Sequence, residues 1–479
     1  MAQTTETTDL VVVGAGPGGY AAAFDAADRG LSVTLVDESA QPGGVCLHRG
    51  CIPSKALLHA AKVLTDARDA SRWGIGFGPP SIDLAAMRDW KTKIVERLTG
   101  GLGRLAAQRS VRYVQGRAAF AGSRELAVTP IESGTEAPSR IAFEHAILAT
   151  GSRPARPGPL ALDDARVLDS TAALSLERVP PKLLVVGGGY IGLELGTVYG
   201  ALGSAVTVVE ATSRLLPGAD PDLARVIARR FGHLAAAVHL DTTVTQLAAG
   251  PAGIDVTLAG PAGAPEAARF DAVLVAVGRV PNSDASGLEG TRVELDPQGF
   301  VRVDAGQRTA EPSVLAVGDV TGEPLLAHKA FHEARVAVDT IMGRAAPSPP
   351  RAIPAVVFTD PEVAWCGLTE ADALAAGRPI ATATFPWGAS GRALTLDRPE
   401  GVTKLVIDPA TERILGVGIA GVGAGELIAE GVLAVEQQAT ASDLASAIHP
   451  HPTLSETLTE AADAFFGRSV HLPRPRRPA

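Results

Sequence analysis

Short apolar runs alternate along the chain with longer stretches of small residues, and the first clear instance is DLVVVGAGPGGYAAAFDAADRGLSVTLVDE, residues 9–38. The run LVVV is too short for a helix and rich in β-branched residues, which predicts a buried strand. The Ala-rich stretch behind it predicts a helix ending at Gly30, and SVTLVDE a second strand. The same pattern returns at KLLVVGGGYIGLELGTVYGALGSAVTVVE, residues 182–210. Self-similarity of this kind predicts two copies of one strand–turn–helix–strand unit.

Both turns read GxGxxG, with Gly14, Gly16 and Gly19 in the first and Gly187, Gly189 and Gly192 in the second. In both, the first glycine precedes an acid at the end of the next strand by the same interval: Gly14 to Asp37, and Gly187 to Glu210. A glycine cluster alone often serves an ordinary turn, but here each copy has its strand, helix and acid. Such glycines let the backbone approach a pyrophosphate at the helix N-terminus, while the acid accepts hydrogen bonds from a ribose hydroxyl. Two nucleotides are expected.

The stretches HAILATGSRP and DAVLVAVGRVPN close the two units, and Pro- or Gly-rich connections after them read as domain crossings. RAAPSPPRAIP, near residue 345, is too rich in proline for a helix or a central strand and reads as a linker to a separate α+β domain. The expected division is a first nucleotide domain over 1–152, a second over 153–278, a central stretch over 279–345 that completes the first site, and a C-terminal domain over 346–479. The fold class is α/β, with two Rossmann-like domains and a C-terminal α+β domain.

Composition narrows the function. The net charge is −9, and the only basic cluster is the terminal RPRRPA. Nucleic acid, which requires clustered Lys and Arg, is not an expected partner. No apolar run approaches the ~20 residues of a membrane span, and MAQTTETTDL carries no apolar export segment, so a cytoplasmic enzyme is expected.

Of three cysteines, two sit together in GGVCLHRGCIPSK as Cys46 and Cys51, and the third is Cys366. Zinc spacings need a second pair of ligands, and only His48 and His59 lie near, so no metal is expected. A redox pair is the leading reading. Residues five apart on a straight helix rise about 7.5 Å, beyond the ~7 Å limit for bridging Cα atoms. The segment must therefore distort if a disulfide forms, and Gly50 makes that feasible. Cys366 has no neighbouring cysteine or base and reads as a core residue.

With these motifs and a C-terminal HPHPTLSE, the chain resembles the flavoprotein disulfide reductases, and among them most closely the dihydrolipoyl dehydrogenases. The matching segments run from VVVGAGPGGYAAA through GGVCLHRGCIPSK, ATGSRP, GGGYIGLELG, AVGDVTGEPLLAHKA and FTDPEVAWCGLTE to HPHPTLSE, nearly the whole chain. The resemblance implies FAD in the first unit and NAD in the second. It implies FAD contacts at Lys55, Ala118, Thr150, Gly151, Ser152 and Asp319, and along the turn Leu325, Leu326, Ala327, His328. For NAD it implies Gly187 to Glu194, Glu210, Val244 and Gly278, with Tyr190 as an aromatic gate beside Ile191.

The implied chemistry is attack of a substrate thiolate on Cys46, releasing Cys51 as a thiolate beside the flavin. Lys55, one helical turn beyond Cys51, is placed to stabilise that charge. The resemblance pairs it with Glu194. His451, held between Pro450 and Pro452, is the expected base, and Glu456 its orienting carboxylate. His449 reads as a surface residue. The expected assembly is a homodimer whose C-terminal domain lends His451 to its partner's disulfide, with a lipoyl-bearing acyltransferase or glycine-cleavage carrier protein as substrate.

His48 and Arg49 depart from the Asn and Val usual between the cysteines, and Pro450 from the usual Ala. An NADP-dependent reductase of another disulfide is the nearest alternative, opposed by Glu210, which would repel a ribose 2′-phosphate. Mercuric reductases carry an extra C-terminal cysteine pair, and no Cys follows Cys366 here. A subunit with a vestigial flavin site would have lost a catalytic group, and Cys46, Cys51, Lys55, His451 and Glu456 are all present.

Overall fold

The computed structural model describes residues 5–131, 138–261, 266–284, 286–345 and 348–473, with His233 by its backbone alone. The terminal RPRRPA and part of the Pro-rich linker lie outside these residues.

The first sheet is built on parallel strands in the order Arg112–Gln115, Val33–Asp37, Thr5–Val13 and Arg140–Leu148, and Val314–Ala316 pairs in parallel beyond Arg140–Leu148. Leu10, Val11, Val12 and Val13 are all buried, as expected of a parallel strand covered on both faces. Helix Pro17–Asp28 packs against helix Ala327–Ile341 on one face. The central stretch thus joins the first sheet through both its strand Val314–Ala316 and this helix.

The second unit repeats the plan: Ala237–His239, Ala205–Val209, Lys182–Val186, Ala272–Val275 and Val167–Leu168 form a five-stranded parallel sheet. Arg279–Pro281 pairs antiparallel with Ser152–Pro154, linking the two units. No regular element lies between Ile341 and Ala355 among the described residues, in keeping with the linker. Beyond it, five antiparallel strands run in the order Ala355–Val357, Glu362–Gly367, Ile414–Gly421, Val402–Ile407, Ala381–Pro386. Helices Ala424–Glu436 and Glu456–Phe465 pack on that sheet, which makes this the expected α+β domain.

The equivalence of the units extends to single atoms. Gly14 and Gly187 have φ +98° and +109°, and a Cβ at either would lie 2.4 Å from a carbonyl oxygen, of Ala149 and Ala276 respectively. Only glycine satisfies both the backbone angle and the close approach of the neighbouring strand. Cores also cross domain borders. Leu57 and Leu58 of helix Cys51–Asp69 share one apolar cluster with Leu193 of the second unit and Val357 of the C-terminal domain.

Candidate active site

Cys46 lies in the short helix Gly44–Arg49 and Cys51 opens the long helix Cys51–Asp69, with Gly50 between them at φ −145° and ψ −114°. The distortion expected from the cysteine spacing is therefore a complete helix break. A Cβ on Gly50 would come 2.8 Å from the Val45 carbonyl oxygen, so the break needs a glycine for space. Both cysteines are free thiols here. A hydrogen bond from Cys46 is the largest influence on Cys51 and, with Lys55, draws its pKa down to about 7 against burial and the Glu194 charge. The same hydrogen bond and burial push Cys46 up, so Cys51 is the thiolate of the pair.

Lys55 Nζ stands 2.9 and 3.1 Å from the two oxygens of Glu194. Glu194 sits on helix Tyr190–Leu202 of the second unit, with its side chain only 4% exposed. A buried carboxylate must be paired and hydrogen-bonded. Its remaining donors are the Ser54 hydroxyl at 2.9 Å and the Phe358 backbone N–H at 3.0 Å, and the Phe358 ring lies 4.6 Å from Lys55 Nζ. Ser54 and Phe358 were missed in the sequence. A serine beside a lysine and an apolar residue of a distant domain carry no local signal.

Cys46, Cys51, Ser54, Lys55 and Glu194 wall one cavity of about 700 Å3, within the ~300–1,000 Å3 usual for ligand sites. The structure brings Gly14, Gly16, Asp37, Cys46, Cys51, Lys55 and Ala118 to it, and likewise Thr150, Gly151, Ser152, Asp319, Leu325 and Ala327. Tyr190, Ile191 and Glu194 enter the same wall from the second unit. Gly19 stands behind the wall, its Cα facing the Gly14 carbonyl. Leu326 starts the helix Ala327–Ile341, and the His328 ring meets the Pro354 carbonyl at 2.7 Å instead of the cavity. Arg279, which the sequence offered only as part of a domain crossing, holds Ser152 by its hydroxyl at 2.7 Å and its carbonyl at 2.6 Å. Ser152 in turn donates to Asp319 at 2.5 Å, so the guanidinium fixes one wall.

The remaining predicted residues of the second nucleotide, Gly187, Gly189, Gly192, Glu210, Val244 and Gly278, lie outside this cavity. Nothing stands within 4 Å of a Cβ built on Gly189, so the N-terminus of helix Tyr190–Leu202 is open to a ligand. Val244 is itself a buried core residue of the adjoining small sheet. With the cavity at the first glycine turn and this open helix end at the second, the residues present fit two dinucleotides.

His451 Nδ1 and Glu456 Oε1 are 2.9 Å apart, and Glu456 Oε2 accepts the Thr453 N–H at 2.8 Å. Burial would raise the Glu456 pKa, but these two hydrogen bonds hold it below the usual carboxylate range. Glu456 therefore stays ionised beside the imidazole. The His451 side chain is 76% exposed and does not line the cavity that holds the cysteines. His449 corrects the reading of it as a surface residue. Its side chain is 9% exposed, with Nε2 2.8 Å from Glu430 and Nδ1 2.6 Å from the Thr459 hydroxyl. It ties the His451 loop to two helices, which a proline-flanked histidine in sequence does not reveal. Cys366 is 2% exposed in strand Glu362–Gly367, and burial lifts its thiol to about 12.

Residues 8–334 match the pyridine nucleotide-disulphide oxidoreductase family, and residues 353–462 match its dimerisation domain. The chain is 45% identical over 464 residues to the dihydrolipoyl dehydrogenase of Vibrio cholerae serotype O1, covering 97% of both. It is 44% identical over 464 residues to that of Halobacterium salinarum, again covering 97% of both. Among solved structures, LpdA from Mycobacterium tuberculosis superposes with a TM-score of 0.86 at 27% identity, over 95% of this chain and 99% of that one. The HOCl-induced flavoprotein disulfide reductase RclA from Escherichia coli gives 0.82 at 28% identity, over 95% and 99%. The chain belongs to the pyridine nucleotide-disulphide oxidoreductase family. Its cofactors are FAD and NAD(H). Among the described residues, no helix is long and apolar enough to cross a membrane.

Proposed function

We propose that the chain acts as a dihydrolipoyl dehydrogenase, oxidising protein-bound dihydrolipoyl groups to the cyclic disulfide and reducing NAD to NADH. The observation that carries the reading is the cysteine pair across the Gly50 break, with Lys55 and Glu194 beside it in a cavity of dinucleotide size. Curated relatives of that activity at 45% identity support it. FAD, when bound, supplies the two-electron carrier between the dithiol and NAD.

In this proposal the first cavity takes FAD, through Gly14, Gly16, Gly19, Asp37, Lys55 and Ala118, the Thr150–Ser152 turn, Asp319, and the segment from Leu325 to His328. The open second turn takes NAD, through Gly187 to Glu194, Glu210, Val244 and Gly278. The working form is a homodimer, supported by the match of residues 353–462 to a dimerisation domain. The division at residues 152, 278 and 345 belongs to the same proposal.

His451, its charge balanced by Glu456, takes the proton of one substrate thiol. The thiolate attacks Cys46 Sγ, the Cys46–Cys51 bond breaks, and Cys51 departs as a thiolate held by Lys55. The second substrate thiolate then displaces Cys46 from the mixed disulfide, closing the lipoyl ring and leaving both enzyme cysteines reduced. The substrate is carried on a lipoyl-bearing acyltransferase of a 2-oxo acid dehydrogenase complex, or on a glycine-cleavage carrier protein, and the sparing use of cysteine suits the cytoplasm. Steady-state turnover with NAD and dihydrolipoamide, beside NADPH and glutathione disulfide, tests the reading. Faster turnover of the second pair would overturn it.

A further inference from the structure

The C-terminal domain reaches the redox site of its own chain through Phe358. Phe358 follows Val357, 1% exposed, and precedes Thr359, 4% exposed, so its backbone is pinned on both sides. From there it makes two contacts on one ion pair: its N–H to Glu194 Oε1 at 3.0 Å, and its ring at 4.6 Å from Lys55 Nζ. Ser54 occupies the other oxygen, Oε2, and both oxygens also meet Lys55. The carboxylate is thereby held by three residues, and the ammonium lies between it and an aromatic face.

We propose that Phe358 is a positioning residue for the Cys51 thiolate, its ring holding the Lys55 ammonium in place and shielding one side of it from water. The face of an aromatic ring attracts a cation, and an apolar wall lowers the local dielectric, so the field of the ammonium at a nearby thiolate is stronger. Behind the Cys46 hydrogen bond, which lowers the Cys51 pKa, and burial, which raises it, Lys55 lowers it further and Glu194 opposes, so the position of the lysine bears on the thiolate. Truncating Phe358 leaves its backbone bond to Glu194 and removes only the ring. The domain that matches the family's dimerisation domain thus also tunes the thiol chemistry of its own chain.

The inference rests on the reading of Cys51 as the flavin-facing thiolate, and the test separates the two. In flavin-loaded full-length protein carrying Cys46→Ser, the pH midpoint of Cys51 is read in two ways. One is the long-wavelength charge-transfer absorption of its thiolate with the flavin; the other is its alkylation rate with iodoacetamide, followed by peptide mass. Adding Phe358→Leu should raise both midpoints by about half a pH unit, from the size of an exposed cation–π contact. Phe358→Tyr, which keeps the ring, should restore the parent midpoint. Phe358→Met carries the same expectation as Leu if the Leu chain does not fold. An unchanged or lower midpoint with normal flavin content, or a Tyr variant that behaves like Leu, overturns the role of Phe358. Absence of the absorption band in the parent would instead sink the flavin-facing thiolate, while the alkylation midpoints still decide Phe358.

Discussion

Glu210 accepts the backbone N–H of Gly188 over 2.7 Å, so the acid at the end of the second unit's strand closes that unit's own glycine turn. Its other oxygen takes the N–H and the hydroxyl of Thr212, both at 2.8 Å. Asp37 does the same for the first unit, accepting the Ala15 N–H at 2.7 Å. The Glu210 carboxylate is thus fixed before any nucleotide arrives, with a lone-pair site left for a ribose hydroxyl.

That fixed charge sets the choice of nicotinamide. A carboxylate accepts a ribose hydroxyl but repels a 2′-phosphate, so kcat/KM should favour NAD over NADP by about a hundredfold or more. Glu210→Ala should raise the KM for NAD roughly tenfold, through a lost hydrogen bond to a charged acceptor, and narrow the ratio. Steady-state kinetics with both nucleotides checks this, and comparable efficiencies in the parent protein would refute it.

The Cys51 thiol is drawn down to about 7 first by the Cys46 hydrogen bond and raised by burial, with Lys55 lowering it further and Glu194 opposing. Its thiolate should predominate above that pH and be lost as pH falls through it. Lys55→Met should move the midpoint up by a unit or more, whereas Glu194→Gln should move it down. Thiol alkylation rate against pH measures both. Shifts of the same sign would mean that the two side chains act through packing rather than through charge.

Gly50→Ala probes the helix break. The new methyl must push the Val45 carbonyl away from 2.8 Å. Moving that carbonyl displaces the turn that carries Cys46. Turnover should fall about tenfold or more while flavin content and melting temperature stay near normal, because misplacing one reacting atom is enough. Unchanged turnover would show that the two helices yield without disturbing the thiols.

The elements legible in the sequence are those that local chemistry dictates. Both glycine turns, the acids Asp37 and Glu210 and the distortion beside Gly50 are short-range consequences of strand, turn and cysteine spacing, and each is present. The wall of the cavity was legible only through likeness to a family, because Ala118, Thr150 and Asp319 are brought together by the sheet. What stayed hidden depends on contacts between domains: Phe358 on Lys55, Ser54 on Glu194, and Arg279 behind Ser152. His449 was misread for the same reason, since Glu430 and Thr459 come to it from two separate helices. Pattern along a chain reports which face of an element is apolar, not which element arrives opposite it.

The exposed base makes the last prediction. His451 is 76% exposed, paired with Glu456, and absent from the wall around Cys46 and Cys51, although thiol attack needs a base within hydrogen-bond reach. A symmetric dimer resolves this if each C-terminal domain presents its histidine to the disulfide of the other chain, and residues 353–462 match a dimerisation domain. Mixing Cys46→Ser chains with His451→Gln chains then builds, in every mixed dimer, one centre with an intact disulfide from one chain and an intact histidine from the other. The second centre of that dimer carries both lesions and is dead. Random pairing makes half of the dimers mixed, so after subunit exchange activity should climb to roughly a quarter of that of the unaltered protein. Exchange is verified separately, by native mass spectrometry of chains tagged to differ in mass. If mixed dimers form and activity stays at the level of the two parents, each centre is completed within a single chain and the shared site is refuted.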